Sequence, residues 1–302
     1  MHASLAIWVM QAFNGLSTFS VLLLMALGLA IIFGQMGVIN MAHGEFLTIG
    51  AYTTYFLSHL SETWAPWLSK WYFLVAVVVA FGIAGIIGLA VEYFMVRHLY
   101  RRPLDTLLAT WGLSLIMQQT FRSAFGAREV SATLPDWLMG SLKPTPNIDI
   151  PINGLFVMGL TTVLTALVFV GLFRTRVGID VRATMQNRSM ASAAGINTGK
   201  VDRFTFAVGC GLAGVAGAAF TTIGSTGPTS GSLYIVDTFL VVVFGGAQSL
   251  IGTIGSAFTI AQAQATTEFF LTGSMAKVLT LSAVILVLMA RPQGLFALKM
   301  RR

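Results

Sequence analysis

The segment GVINMAHGEF, at residues 37–46, places Asn40, His43 and Glu45 between two of the most apolar stretches of the chain. Their amide, imidazole and carboxyl groups can exchange hydrogen bonds with a solute. An ionisable side chain at the centre of a bilayer costs at least about 2.5–3.5 kcal/mol, so it marks a functional site by default. Asn40 and His43 are three residues apart and share a face if the segment is helical. We predict that the segment lines or gates a solute pathway; the alternative is that His43 and Glu45 only hydrogen-bond to neighbouring helices.

A second irregular stretch, at residues 224–253, has the same features. Glycines and a proline interrupt the helical pattern, Asp237 lies in an apolar run, and Gly245–Gly246 end that run before it is long enough to span a bilayer. Paired discontinuous helices are typical of transporter binding sites near the membrane midplane. We therefore add Asp237 and Thr226 to the candidate pathway, with Gln118 and Gln119 as further polar groups. Asp237 could instead pair with another helix.

The composition shows what must position these residues. Of 302 residues, 56% are hydrophobic and only 10% are charged, against roughly 25% charged in soluble domains. A spanning helix needs about 20 mostly apolar residues, and the segments lack the alternation of barrel strands. We predict an all-α integral membrane protein: one transmembrane domain over residues 1–302, a helical bundle of eight to nine transmembrane segments with broken or re-entrant helices. The segments are 12–34, 41–57, 72–96, 104–124, 153–173, 204–224, 252–271, 275–291 and the short 233–246.

The loops predict the orientation, because Lys and Arg concentrate in cytoplasmic loops. Thirteen of the 18 basic residues fall in three segments that an odd helix count puts on one side. Loops 58–71 and 125–152 are rich in Trp and Pro instead, as outer loops are. We expect a multi-pass protein with the N-terminus outside, 125–152 periplasmic, and 174–203 and the C-terminus cytoplasmic. The thirteen are Arg97, Arg101, Arg102, Arg174, Arg176, Arg182, Arg188, Lys200, Arg203, Arg291, Lys299, Arg301 and Arg302.

Several functions are excluded by motif. VGCGLAG has the GxGxxG spacing without a preceding strand, and GINTGK is too short for a P-loop. No paired nucleophile and base or metal-ligand cluster appears, so we expect no enzyme, metal or cofactor. A basic face for nucleic acid is also missing. The glycines instead fall at helical spacing, which lets helices approach closely. These helix-packing candidates are Gly82, Gly85, Gly88, Gly211, Gly214 and Gly217.

The loop 174–203 contains a short helix-compatible piece, NRSMASAAGI, that ends at Gly195 as helices often do. Its charges could simply set the topology, but that leaves the small and apolar residues unexplained. A modest apolar face of this kind fits a groove on a partner protein.

Four segments, in order, carry a family resemblance: GVINMAHGEF, MASAAGI, GSLYIVDTFLVVVFGGAQSLIGT and RPQGLFALK. They resemble the permease subunits of bacterial ABC importers of the branched-chain amino acid type, over nearly the whole chain. The resemblance implies an inner-membrane importer with a homologous second permease, two cytoplasmic ATPase subunits and a periplasmic substrate-binding protein. It also implies that 187–196 is a coupling helix that docks on the ATPase. The coupling candidates are Arg188, Met190, Ala191, Ala194 and Gly195.

Within that family the chain looks closest to the first permease subunit of the urea importer, on MGVINMAHGE, YIVDTFLVVVFGG and the RPQGLFALK ending. Urea is neutral and needs both donors and acceptors, which the pathway candidates supply. We therefore expect urea as the cargo, moved by alternating access. The alternatives are a branched-chain amino acid or another small amide, and, from a different class, a passive channel for a small polar solute.

Overall fold

The structure is a computed structural model that describes residues 2–64, 67, 69–100, 102–145, 148–246, 249–291 and 294. Side chains are described for these residues except 2–5, 144 and 145. Most of the RPQGLFALK motif therefore lies outside the described residues, as do the basic residues Arg101, Lys299, Arg301 and Arg302.

Eleven α-helices run through the described residues. A short 3-10 helix, Val96–His98, follows the third of them, and an antiparallel pair of strands, β1 (Ser141–Thr145) and β2 (Ile148–Pro151), precedes the fifth. The helices are α1 (His2–Met36), α2 (His43–Thr63), α3 (Tyr72–Phe94), α4 (Pro103–Phe125), α5 (Ile152–Arg174), α6 (Arg176–Gln186), α7 (Arg188–Ala193), α8 (Thr198–Phe220), α9 (Ser230–Gly245), α10 (Leu250–Phe270) and α11 (Gly273–Ala290).

A helix lies at each of the nine predicted segments, and among the described helices five are long and apolar enough to cross a membrane. These five correspond to α1, α3, α5, α8 and α11. The 16-residue α9 is about 24 Å long at 1.5 Å per residue, less than the roughly 30 Å of a bilayer core. The chain is thus a helical membrane protein, and the total of eight or nine spans stays a prediction.

The two long loops contain more structure than the sequence predicted. α6 and α7 fill most of 174–203, and the two strands lie in 125–152. α7 begins after Asn187, whose side chain accepts a hydrogen bond from the Met190 backbone N–H at 3.0 Å. It ends before Gly195, which has φ +89°, a conformation that favours glycine.

Helix breaks occur at both irregular stretches. After α1 the chain turns at Gly37, where φ is +63°, and α2 begins only at His43. The His43 ring lies 3.2 Å from the Met25 carbonyl, so α2 begins beside the interior of α1 rather than beside its end. Residues 221–229 separate α8 from α9 in the same way, and Gly246, with φ +89°, ends α9. Both α2 and α9 therefore begin inside the bundle, and α9 is the shorter of the two.

The helix packing around α1 resembles the helix packing around α8. α1, α2 and α8 form its centre: α3 packs along α8 as α10 packs along α1, and α2 contacts α9. Two contacts orient α1 against α8, because Gly28 meets Gly209 while Gln35, near the end of α1, meets Asp202, near the start of α8. These helices are antiparallel, so α1 and α8, which begin the sets α1–α2–α3 and α8–α9–α10, run in opposite directions, as the corresponding helices of an inverted repeat do.

Glycines at helix crossings make this close packing possible. A Cβ on Gly217 would lie 1.9 Å from the Leu47 carbonyl oxygen of α2, and one on Gly214 would lie 2.5 Å from the Ala84 Cβ of α3. A Cβ on Gly82, in contrast, would meet no atom within 4 Å. Gly82 therefore packs against no helix among the described residues of this chain, although it shares the spacing of its neighbours. The other packing candidates, Gly85, Gly88 and Gly211, each have a neighbouring-helix atom within 3.3 Å of a built Cβ.

Candidate functional site

Glu45 lies in the first turn of α2 and is 1% exposed. Its Oε1 accepts hydrogen bonds of 2.9 Å from both Ser114 Oγ and Gln118 Nε2, which are one turn apart on α4. Gln118 also donates to Ser114 at 3.0 Å. Glu45 Oε2 has no hydrogen-bond partner among the described residues. Glu45 therefore fastens α2 to α4 through one oxygen and keeps a second acceptor available inside the bundle.

His43 and Asn40 do not share a helical face, contrary to the prediction. Asn40 precedes α2, and its Oδ1 accepts from the Ala42 backbone N–H at 3.1 Å, which closes the turn before the helix. His43 is the first residue of α2 and points at α1, with Nε2 beside the Met25 carbonyl. Both side chains are at most 1% exposed. Asn40 Nδ2 and His43 Nδ1 have no partner among the described residues, so the cluster has donor and acceptor capacity to spare.

The first turns of α2 and α9 meet backbone to backbone. A Cβ on Gly44 would lie 2.3 Å from the Gly231 carbonyl oxygen, and one on Gly231 would lie 2.2 Å from that of Gly44. Thr48 Oγ1 accepts from the Gly231 backbone N–H at 3.0 Å. Two helix N-termini, each with the partial positive charge of its macrodipole, therefore converge inside the bundle.

The remaining pathway candidates lie apart from this cluster. Thr226 is buried and pairs with Val130 through two backbone hydrogen bonds of 2.8 Å, so it fixes the 221–229 turn to the long loop after α4. Gln119 is exposed on α4, while its neighbour Gln118 faces Glu45. The structure thus joins Gln118 to the first irregular stretch and separates Gln119 and Thr226 from it.

Asp237 forms an ion pair, which was the alternative for this residue. Lys277 Nζ of α11 lies 2.8 Å from Asp237 Oδ2 and donates to the Leu233 carbonyl at 2.8 Å. Asp237 is 8% exposed, so its carboxylate is neutralised by Lys277 inside the bundle. The sequence analysis missed Lys277. A lone Lys in an apolar helix is itself a signal that a buried carboxylate needs a partner.

Three cavities of 390 to 470 Å³ lie elsewhere in the described bundle, and the pathway candidates line none of them. The first, of 440 Å³, is an apolar space among α1, α3, α5, α6 and α8. The second, of 470 Å³, lies between the end of α2 and the loop after α4, and its lining includes the charged residues Glu62, Lys70 and Asp136. The third opens among α1, α5 and α10. In this conformation the cluster around Glu45 is closed.

The coupling candidates divide into an exposed and an inward group. Met190 is 68% exposed and Ala194 is also exposed, whereas Ala191 is 5% exposed and faces the bundle. Arg188 pairs with the buried Asp202, although its own side chain is 43% exposed. Met190, Ala194 and the Gly195 turn, with the exposed part of Arg188, present a surface that a partner can reach.

Replacing Glu45 separates its two roles. In Glu45→Gln the amide oxygen still accepts from Ser114 and Gln118, so we expect a stable protein with at least tenfold slower solute transport, because the spare carboxylate oxygen is lost. Glu45→Ala leaves both α4 donors without their acceptor, and we expect about 1–3 kcal/mol of destabilisation in addition. Thermal unfolding in detergent and initial uptake rates measure the two effects. Normal uptake by Glu45→Gln would show that the cluster has only a structural role.

The chain is similar to known transport proteins over nearly its whole length. The family described as "Branched-chain amino acid transport system / permease component" matches residues 11–289. The chain is 30% identical to the high-affinity branched-chain amino acid transport system permease protein LivH of Escherichia coli (strain K12), over 95% of each chain. It is 27% identical to the BraD permease protein of Pseudomonas aeruginosa, again over 95% of each. A probable branched-chain amino acid transport permease protein of Methanocaldococcus jannaschii is 26% identical over 91% of this chain and 88% of its own. No solved structure matches the chain.

Proposed function

Because this chain belongs to the family of branched-chain amino acid transport permeases, we propose that it is a permease subunit of an ATP-driven importer whose cargo is a branched-chain amino acid. The match of the family over residues 11–289 carries this proposal. The chain is a transport subunit and not an enzyme, since its relatives are permease proteins.

The expectation of urea is not supported. The relatives that cover nearly the whole chain are named for branched-chain amino acids and not for urea. The motifs that suggested urea are compatible with the wider family, because the first of them, MGVINMAHGE, forms a helix break and a structural cluster around Glu45. Motifs that shape the backbone need not contact the cargo.

The centre of the bundle fits an amino acid better than it fits urea. An amino acid carries a carboxylate, and the converging N-termini of α2 and α9 favour a negative charge at the Gly44–Gly231 contact. The Glu45 carboxylate, held aside by Ser114 and Gln118, could receive an ammonium group. Neutral urea needs neither feature. The closed packing at this point implies that the site opens only when α2 and α9 separate.

The remaining parts of the proposal come from the family. An importer of this kind works with ATPase subunits and a substrate-binding protein, and we place a homologous second permease beside this chain. The end of the bundle where Arg188, Asp202, Gln35 and Tyr100 meet is here called the basic end. We assign it to the cytoplasm, with the N-terminus outside, because it contains the loops rich in Lys and Arg. The ATPase would then dock on the exposed side of α7.

Uptake of labelled solutes by metabolically active cells that express the whole transport system tests this function. We expect labelled leucine and valine to accumulate against their gradients, and labelled urea not to accumulate. The double variant Met190→Glu with Ala194→Glu is expected to lose more than 90% of leucine uptake, because both changes put charge on the exposed docking surface without touching the core. Gln186→Glu, an exposed charge change at the end of α6, is the matched control and keeps normal uptake.

The possible failures are distinct. Accumulation of urea without leucine would overturn the cargo. Equilibration of leucine without accumulation, insensitive to ATP depletion, would favour the passive channel. Normal uptake by the double variant, with the native chain active, would remove α7 from the docking surface.

A further inference from the structure

A buried polar network connects α7 to three other helices at the basic end. Asp202, in α8, has no exposed surface, and its Oδ2 accepts a hydrogen bond from Arg188 Nη2 of α7. Its Oδ1 accepts from Gln35 Nε2, in the last turn of α1, at 3.4 Å. The Arg188 guanidinium thus lies between the exposed loop and the two central helices of the bundle.

The same guanidinium continues the network to α3. It lies over the Tyr100 ring, 5.1 Å from the ring centroid, and the Tyr100 hydroxyl donates to Glu92 Oε1. Glu92 belongs to the last turns of α3 and is 2% exposed. Burial and the hydrogen bond to Glu92 raise the pKa of Tyr100, so its hydroxyl remains protonated and stays a donor. Five side chains therefore join α7 to α1, α3 and α8.

The energetics make this joint stiff. Asp202 has no exposed surface, so its carboxylate resists separation from Arg188, although the Arg188 side chain is itself 43% exposed. The helix α7 has six residues and few contacts of its own beyond α6 and the start of α8. When α7 is displaced, the ion pair must either move α8 with it or break. The planar guanidinium also keeps its stacking on Tyr100 only if that ring follows.

We propose that Arg188 and Tyr100 are positioning residues that transmit displacement of α7 to the ends of α1, α3 and α8, and so couple ATP hydrolysis to solute movement. This inference rests on the proposed function. It differs from the docking role first expected of Arg188, because here Arg188 acts inside the chain and not on the partner. The exposed Met190 then receives the force and Arg188 passes it on.

The test compares ATP hydrolysis with uptake in proteoliposomes that contain the complete transport complex. For Arg188→Ala we expect hydrolysis to remain within a factor of two of native, while leucine taken up per ATP falls at least tenfold. Arg188→Lys keeps the charge but not the planar stacking, and we expect an intermediate loss. The exchange Arg188→Asp with Asp202→Arg is expected to recover part of the ratio. The control variant Arg182→Ala changes an arginine of α6 that stacks on Phe173 outside the network, and we expect it to keep the native ratio.

A second variant covers the case in which Arg188→Ala fails to assemble. Tyr100→Phe removes only the hydroxyl, leaves the ion pair, and should lower uptake per ATP two- to fivefold. A native ratio in Tyr100→Phe and in Arg188→Lys would overturn the proposal, as would a parallel fall of hydrolysis and uptake in all network variants. Failure of the proposed function is visible separately, because the native complex would then show no ATP-dependent leucine uptake.

Discussion

The variant Gly217→Leu is expected not to reach the folded state. Gly217 of α8 crosses α2 so closely that its Cβ would lie 1.9 Å from the Leu47 carbonyl oxygen and 2.9 Å from the Ala51 backbone nitrogen. The obstructing atoms are backbone, so no rotamer change relieves the clash. Overpacking of a core typically costs about 1–3 kcal/mol, and forcing two central helices apart costs more. We expect Gly217→Leu to give little or no monodisperse protein after detergent extraction.

A matched substitution controls for the added hydrophobic bulk. Gly82→Leu puts the same side chain on α3 where a Cβ meets nothing within 4 Å. We expect native yield and an unfolding temperature within a few degrees of native. Size-exclusion chromatography of fluorescent fusions measures the yield of both variants. Equal yields would show that the crossing of α2 and α8 tolerates separation and that the contact is not essential to the fold.

Removal of Lys277 is expected to cost about 3 kcal/mol of stability, the lower end of the range for a broken buried ion pair. Lys277→Met leaves the Asp237 carboxylate without its partner, and Asp237 is only 8% exposed. The lower end applies because the Lys277 side chain is about one-third exposed. Thermal unfolding in detergent measures the loss of stability as a shift of the midpoint temperature.

The double variant Asp237→Asn with Lys277→Met distinguishes charge from packing. It removes both charges at once, and we expect it to recover most of the stability lost in the single variant. Transport by the double variant decides whether Asp237 also serves the cargo. A double variant as unstable as Lys277→Met would mean that the lysine stem, and not the charge, stabilises the contact of α11 with α9.

The positions of the helices could be predicted because each is encoded locally, by a long apolar run with glycine or proline near its ends. The start of α1 was harder to predict. The predicted segment began at residue 12, but the helix begins at His2, because no glycine or proline interrupts residues 2–13. The strands β1 and β2 were missed for the opposite reason. They are short and lie in a loop whose four prolines favour irregular structure, and only their pairing reveals them.

The partners of the polar side chains could not be predicted, because they lie far away along the chain. Asp237 and Lys277 are 40 residues apart, and Glu45 meets Ser114 across 69. Helices that are apolar on all sides have no periodicity that reveals which face meets which neighbour. Arg188 shows the same limit, since a basic residue in a basic loop gives no sign that it pairs inward with Asp202.

The antiparallel contact of α1 with α8 also bears on how the chain is made. Gly28 can contact Gly209 only after Gly209 has been synthesised, 209 − 28 = 181 residues later. At about 5–20 residues per second this takes roughly 9–36 s. Most of the apolar segment of α1 is buried in the folded protein. Until α8 is made, this segment can contact only lipid or the insertion machinery. The nascent chain is therefore most vulnerable to degradation until it is about two-thirds complete. Slow translation just before α8 would prolong that period.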